Sequence, residues 1–303
     1  MKNAKLWLII AAVLMIIGIV LFVTAMNSFD WNFSQLNSAP YETNTYAFSG
    51  DFHSIAMNTD TADISILPSK TKECQVVCHE PENLRHSVEI LDGVLTITET
   101  DTRKWHQKVG FSFGNTEITV YLPETEYQEL SIRQSTGDIE IPKDFTFRNI
   151  NIKVSTGDID NYASVLETMQ IQTSTGHIRI ENTSADTLDL LVSTGKVTVT
   201  DSQCTNLFSR GSTGDLTLKN VLVQNSILIE RSTGDVIMND ADAKEIFIET
   251  RTGDVRGNLL TGKVFHTETN TGDIDVPKSV NGGSCEIHTD TGDIEITIKG
   301  HTK

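Results

Sequence analysis

The chain has 303 residues, 41 of them acidic and 24 basic, which gives a formal charge of −17 with 38% apolar residues. That acidity excludes a nucleic-acid-binding surface and direct docking on anionic lipid, since both need a basic face. Its plainest physical consequence is a soluble, polar exterior.

Residues 6–26, "LWLIIAAVLMIIGIVLFVTAM", form an uncharged apolar run long enough at helical rise to cross a bilayer. Lys2 and Lys5 precede the run and the first acid, Asp30, comes after it. The charge bias therefore makes residues 1–5 a cytoplasmic tail, 6–26 a transmembrane anchor, and the bulk of the chain extracytoplasmic. The external part carries −19 once the two lysines are set aside. The rival reading is a cleaved signal peptide ending at the small residues of "VTA", although the apolar core of such peptides is usually about 7–15 residues.

Residues 27–44 lack periodicity and read as a stalk. From 45 to 125 the pattern is β but irregular. "TDTADISI" at 59–66 looks like a degenerate copy of "TDTGDIEI" at 289–296, with Ala62 in the glycine place, and "NTEITVYLPE" resembles another copy. "HSVEILDGVLTITET" predicts a hairpin turning at Asp92-Gly93. This segment is expected to cap the N-terminal end of a repeat array that begins near residue 126, because an open sheet edge needs cover. Within it, Cys74 and Cys78 lie on one strand face about 13 Å apart, too far to bridge. Cys204 and Cys285 sit four repeats apart, so four free thiols are expected. The basic, aromatic stretch "DTRKWHQK" offers Arg103, Lys104, Trp105 and Lys108 as a surface contact for membrane, anionic wall polymer or glycan; the plainer reading is a solvated loop.

From 126 to 303 a threonine-glycine step recurs at Gly137, Gly157, Gly176, Gly195, Gly214, Gly234, Gly253, Gly272 and Gly292, at spacings of 19 or 20 residues. A fixed period of this size is the signature of a solenoid. Seven places before each glycine every residue is apolar, from Leu130 to Cys285. Five places before and two places after, the columns are again aliphatic apart from Ser209 and Thr267. Polar columns alternate with them, so these are strands with one buried face. Glycine supplies the positive φ of a corner, and the aspartate after it can hydrogen-bond back to the turn. The prediction is an all-β fold: a parallel β-solenoid of about nine rungs stacked about 4.8 Å apart, behind a β cap and one transmembrane helix. The last copy ends almost at the C-terminus, so that end is either guarded by Lys299 and Lys303 or is a place where another strand pairs.

The residue after each glycine is Asp138, Asp158, His177, Lys196, Asp215, Asp235, Asp254, Asp273 and Asp293. The run Asp215, Asp235, Asp254, Asp273 and Asp293 stacks like charges, which calcium between rungs would offset. The competing reading is a solvated turn-capping column with no cofactor, favoured by the single carboxylate per rung. Threonines in "TRT", "TNT" and "TDT" share the inward register, which makes a buried hydroxyl ladder and not an ice-binding face. Enzymatic signatures are absent: no glycine-flanked nucleophile, no zincin histidine pair, no phosphate-cradling loop.

The cytoplasmic tail, single membrane helix, "IAMNTDTADISILPS" segment and serial "STGDI" copies together resemble the bacterial putative-adhesin family, a domain of unknown function on envelope proteins. The resemblance covers about residues 45–303. It implies an outward-facing β-solenoid associated with the cell envelope, in some members with envelope-stress systems, and no catalytic motif. Two readings are open. One is an anchored adhesion or binding module for a wall polymer, glycan or other cell. The other is an envelope scaffold or stress-sensing accessory that pairs with another membrane protein.

Overall fold

The computed structural model describes residues 2–28, 31, 40–102, 115–279 and 281–299. Helix α1 spans Lys2–Ser28, and Ile9–Ser28 within it is long and apolar enough to cross a membrane, a property that signal sequences share. The N-terminal β segment holds β1 (Tyr41–Phe48), β2 (Ser54–Thr61), β3 (Asp63–Pro68), β4 (Cys74–Pro81), β5 (Leu84–Leu91), β6 (Val94–Asp101) and β7 (Glu117–Leu122). The repeats begin with β8 (Glu126–Thr136) and β9 (Ile139–Ile141), β10 (Thr146–Thr156) and β11 (Ile159–Asn161), then β12 (Ser164–Thr175) and β13 (Ile178–Glu181). They continue through β14 (Ser184–Thr194), β15 (Val197–Thr213), β16 (Leu216–Thr233) and β17 (Val236–Ala241). The last are β18 (Glu245–Thr252), β19 (Val255–Leu259), β20 (Lys263–Thr271), β21 (Ile274–Asp275), β22 (Gly283–Thr291) and β23 (Ile294–Ile298).

Each rung is a strand, a glycine corner and a second strand, and the corners delimit a solenoid of about eight turns. Stacking is parallel and in register. Ile152 lies between Ile132 and Ile171 in one sheet, and Ile159 lies between Ile139 and Ile178 in the other. The inward aliphatics Ile132, Ile152, Ile171, Leu190, Ile229, Ile248 and Ile287 are at most 1% exposed. Full burial of each such side chain contributes about 1.5–3 kcal/mol, so the aliphatic ladders dominate the cohesion of the stack. A second corner lies six residues after the glycine. There Asn182, Asp201, Asn220 and Asp240 hold φ between 48° and 53°, the left-handed region that short polar side chains tolerate best.

The rungs do not stack in chain order at either end. The Ala62 rung, β2 and β3, abuts the Gly137 rung, while the later β6 and β7 lie outside it. Beyond them the cap turns antiparallel: β5 pairs with β6, and β4 lies between β1 and β7. The predicted hairpin at Asp92-Gly93 closes β5 onto β6, with Leu91 opposite Val94. β1 begins at Tyr41 and so takes in the last residues of the segment read as a stalk.

At the other end, β22 and β23 insert between the Gly253 rung and the Gly272 rung. The outermost rung is therefore β20–β21, and not the last copy in the chain. Its inward positions read Phe265, Thr267, Thr269 and Ile274, more polar than Cys285, Ile287, Thr289 and Ile294 of the inserted copy. A polar terminal repeat is what a solenoid end requires. Lys263 and Asp242, 1% and 8% exposed, form a buried ion pair at 2.5 Å that ties the outermost rung to the segment after β17. Lys299 does not guard the open edge; its ammonium pairs with Asp240 at 3.0 Å. Lys303 lies outside the described residues.

Candidate functional site

The nine repeat glycines all have φ between 123° and 155°. At Gly234 a Cβ would stand 2.3 Å from the Gly214 carbonyl oxygen and 2.5 Å from its carbon. The corner is thus closed to side chains by conformation and by the approach of the neighbouring rung's backbone.

The aspartate column works between rungs and does not cap its own turn. Asp158 N–H donates to Asp138 Oδ1 at 2.8 Å, Asp235 N–H to Asp215 Oδ1 at 3.0 Å, and Asp254 N–H to Asp235 Oδ1 at 2.9 Å. Asp293 N–H reaches Asp254 Oδ1 at 2.7 Å, and Asp273 N–H reaches Asp293 Oδ1 at 2.9 Å, in keeping with the exchanged rung order. Asp63, the residue after Ala62 in the degenerate corner, starts the ladder by accepting from Asp138 N–H at 3.0 Å. His177 continues it with Nδ1 accepting from Lys196 N–H at 2.9 Å. Each of these carboxylates except that of Asp273, on the outermost rung, is set against a main-chain dipole, which offsets part of the like-charge repulsion. Among the described residues, the one group of three or more His, Cys, Asp or Glu ligand atoms within 4.8 Å of one another is Cys78, Glu80 and His86, and no member of the aspartate column belongs to it.

Two sites escaped sequence reasoning. The first is Arg231, which occupies the inward column where Val154, Thr173, Val192 and Thr250 stand in other rungs and is 4% exposed. Its Nη2 donates to Ser209 Oγ at 2.8 Å, while Nε and Nη1 have no partner. Burial pulls its pKa down to about 10. Gly211, directly between Arg231 and Val192 in the stack, makes the room: a Cβ there would stand 1.7 Å from Nη1. The signal was present as Ser209 departing from an aliphatic column, with Gly211 and Arg231 the smallest and the one charged residue of the inward column beside it.

The second is the polar end of the cap core. Glu80 Oε2 accepts from His86 Nδ1 at 2.6 Å and from His86 N–H at 2.8 Å, and Oε1 accepts from Asn44 Nδ2 at 2.8 Å. Burial acts to raise the Glu80 pKa, but the hydrogen bonds from His86 and Asn44 together bring it below the usual carboxylate value. All four cysteines are free and buried. Burial raises each thiol to about 12, with Glu80 adding to the effect at Cys78.

The outer flank carries a groove of about 580 Å³ that crosses the rungs from Gly195 to Gly292. Its walls include Arg210, Glu230, Glu249, Arg251, His288 and Asp290, with Ser193, Ser212 and Ser232 beside them. Arg210 is held by Asp189 at 2.7 Å. Of the threonines expected to share the inward register, Thr250 and Thr289 are at most 1% exposed, but Thr252, Thr271 and Thr291 beside the corner glycines are exposed, because the two-residue alternation breaks where the strand enters the corner. Arg103, Lys104, Trp105 and Lys108 lie outside the described residues.

Fold and surface together define a β-solenoid domain with a capped end, an open end and a polar groove. The chain matches the Toastrack DUF4097 family over residues 52–239 and 204–303, and it belongs to that family. No curated protein matches it. Similar solved structures include one from Bacteroides fragilis described as a putative adhesin, 14% identical, covering 84% of this chain and 97% of its own, with a TM-score of 0.49. Another from Parabacteroides merdae carries the same description, at 13% identity, 86% and 97% coverage and a TM-score of 0.42. A third, from Parabacteroides distasonis, is described as a putative lipid binding protein, at 14% identity, 86% and 98% coverage and a TM-score of 0.40.

Proposed function

We propose that this protein is a membrane-anchored, extracytoplasmic and non-enzymatic binding module of the bacterial cell envelope, an adhesin-type solenoid whose flank engages wall polymer or surface glycan. The observation that carries this reading is the open groove across the rungs. It offers paired cations and anions with a row of serine hydroxyls at a spacing of about 4.8 Å, which suits a polymer of repeating polar units. The apolar helix supports an anchor, with the N-terminus in the cytoplasm by charge bias. The buried, un-ionised thiols of Cys74, Cys204 and Cys285 support a binding role over a catalytic one.

The second reading, a scaffold or stress-sensing accessory, draws on the β20–β21 edge. No further strand covers that edge among the described residues, and Ile274 there is 44% exposed. A partner protein could extend the sheet at such an edge.

The test is capture from native envelope extract by the full chain in detergent, comparing the wild type with Arg210→Ala/Arg251→Ala. The adhesion reading expects wall polymer or glycan to be retained and the double variant to retain about tenfold less. A membrane protein retained equally by both forms would replace it with the accessory reading.

A further inference from the structure

We propose that Cys78, Glu80 and His86 form a binding site for a zinc-class transition-metal ion that staples the two walls of the N-terminal cap. Cys78 and Glu80 project inward from β4, and His86 projects inward from β5 on the facing wall. One donor atom from each lies within 4.8 Å of the other two. All three residues are nearly inaccessible, at 0%, 0% and 2% exposure.

A second observation points the same way. His86 Nε2 is buried without a hydrogen-bond partner, in a cap where Glu80 and Asn44 are otherwise satisfied. Beside it lies Glu99, whose Oε2 is 3.9 Å away and accepts from the Asp60 N–H at 3.0 Å. Because Nδ1 faces Glu80 on the other side of the ring, an ion held there would take Nδ1 in place of its bond to Glu80, with Glu99 orienting the imidazole from behind. Glu99 stands directly opposite His86 across the β5–β6 hairpin, the place of a carboxylate that sets the ring's orientation and is not itself a ligand.

The donor set decides the ion. Calcium and magnesium take oxygen ligands, whereas one thiolate, one imidazole and one carboxylate suit zinc or its cobalt surrogate. Three protein donors leave a fourth position for water, and the burial of all three closes that position off from bulk solvent. The cap has no disulfide among its described residues, and the site joins strands brought together from Cys74–Pro81 and Leu84–Leu91. This inference does not depend on the adhesion reading.

The experiment is metal analysis of the full chain in detergent, then refolding with Co²⁺ and with Zn²⁺. Expected are about one equivalent of zinc per folded chain and a sulfur-to-cobalt charge-transfer band in the Co²⁺ form. Cys78→Ser and His86→Gln should each abolish the band and weaken zinc binding by about 100-fold or more, while Cys74→Ser leaves both unchanged. If the site variants fail to fold, the wild-type band and stoichiometry decide. A folded wild type that takes up neither ion, or a band that survives Cys78→Ser, overturns the proposal.

Discussion

The main-chain N–H of Asp254 donates to Oδ1 of Asp235 one rung away, at 2.9 Å. The column thus offers a hydrogen-bond acceptor to the neighbouring rung. Asp235→Asn keeps an oxygen acceptor and removes a like charge, so stability should change by less than about 0.5 kcal/mol. Asp235→Ala leaves the Asp254 N–H without its partner and should cost about 1 kcal/mol. Urea denaturation of the two variants separates the roles; equal losses would show that the charge itself matters.

The corner glycines make a harsher prediction. Gly234→Ala must hold φ near 136° while its Cβ meets backbone at 2.3 Å. Neither the strain nor the clash can be relieved by a side-chain rotation, so a loss of about 3 kcal/mol or more is expected. Thermal and chemical unfolding measure it.

Arg231 should be a cost to the fold. Its guanidinium is buried with one hydroxyl partner and no carboxylate bonded to it, so Arg231→Met is expected to raise stability by about 1–4 kcal/mol. The pH dependence carries the same sign. Burial lowers the folded-state pKa to about 10, so the unfolded chain holds this proton more tightly. The penalty is full at neutral pH and fades only as pH rises from about 10 toward the ordinary arginine value. Gly211→Ala should be less damaging in the Arg231→Met background. It does not become neutral there, because the added Cβ still meets the Val192 carbonyl oxygen at 2.9 Å.

The repeat spacing made the rung, its buried columns and its glycine corner legible, because each arises from a period of two and from the need for positive φ. The order of the rungs was not legible. Every copy presents nearly the same columns, so exchanging two neighbours preserves most inward contacts, and the polar Thr267, where Ile248 and Ile287 stand in the adjoining copies, marks the copy that ends the stack. The Cys78, Glu80 and His86 cluster was hidden for another reason: it joins different strands across a cap without periodicity. Arg231 was visible as an anomaly, but its meaning depended on Gly211 and Ser209 standing beside it.

The cysteines should be silent in the native chain. Cys74, Cys204 and Cys285 are each at most 3% exposed, and burial holds their thiols at about 12. At pH 8 almost no thiolate is available, and little surface is open to attack. An aromatic disulfide reagent should therefore leave these three untouched until denaturant is added. Fast labelling of any one of them in the folded protein would contradict its placement.

The exchanged rung order predicts a reversal in hydrogen exchange. If the rungs stacked as the sequence reads, β22 and β23 would form the frayed end and β20 and β21 would be protected beneath them. In the structure Thr289 lies between Thr250 and Thr269, so the amides of Gly283–Thr291 should exchange more slowly than those of Lys263–Thr271. Lys263 offers a second handle, since its buried pair with Asp242 anchors the outermost rung. Lys263→Ala leaves Asp242 buried without its cation and should cost about 3–5 kcal/mol, concentrated in β20 and β21. Protection in β22 and β23 should fall less, because the Gly253 rung still covers their inner edge. Faster exchange in β22 than in β20 of the wild type would restore the sequential order.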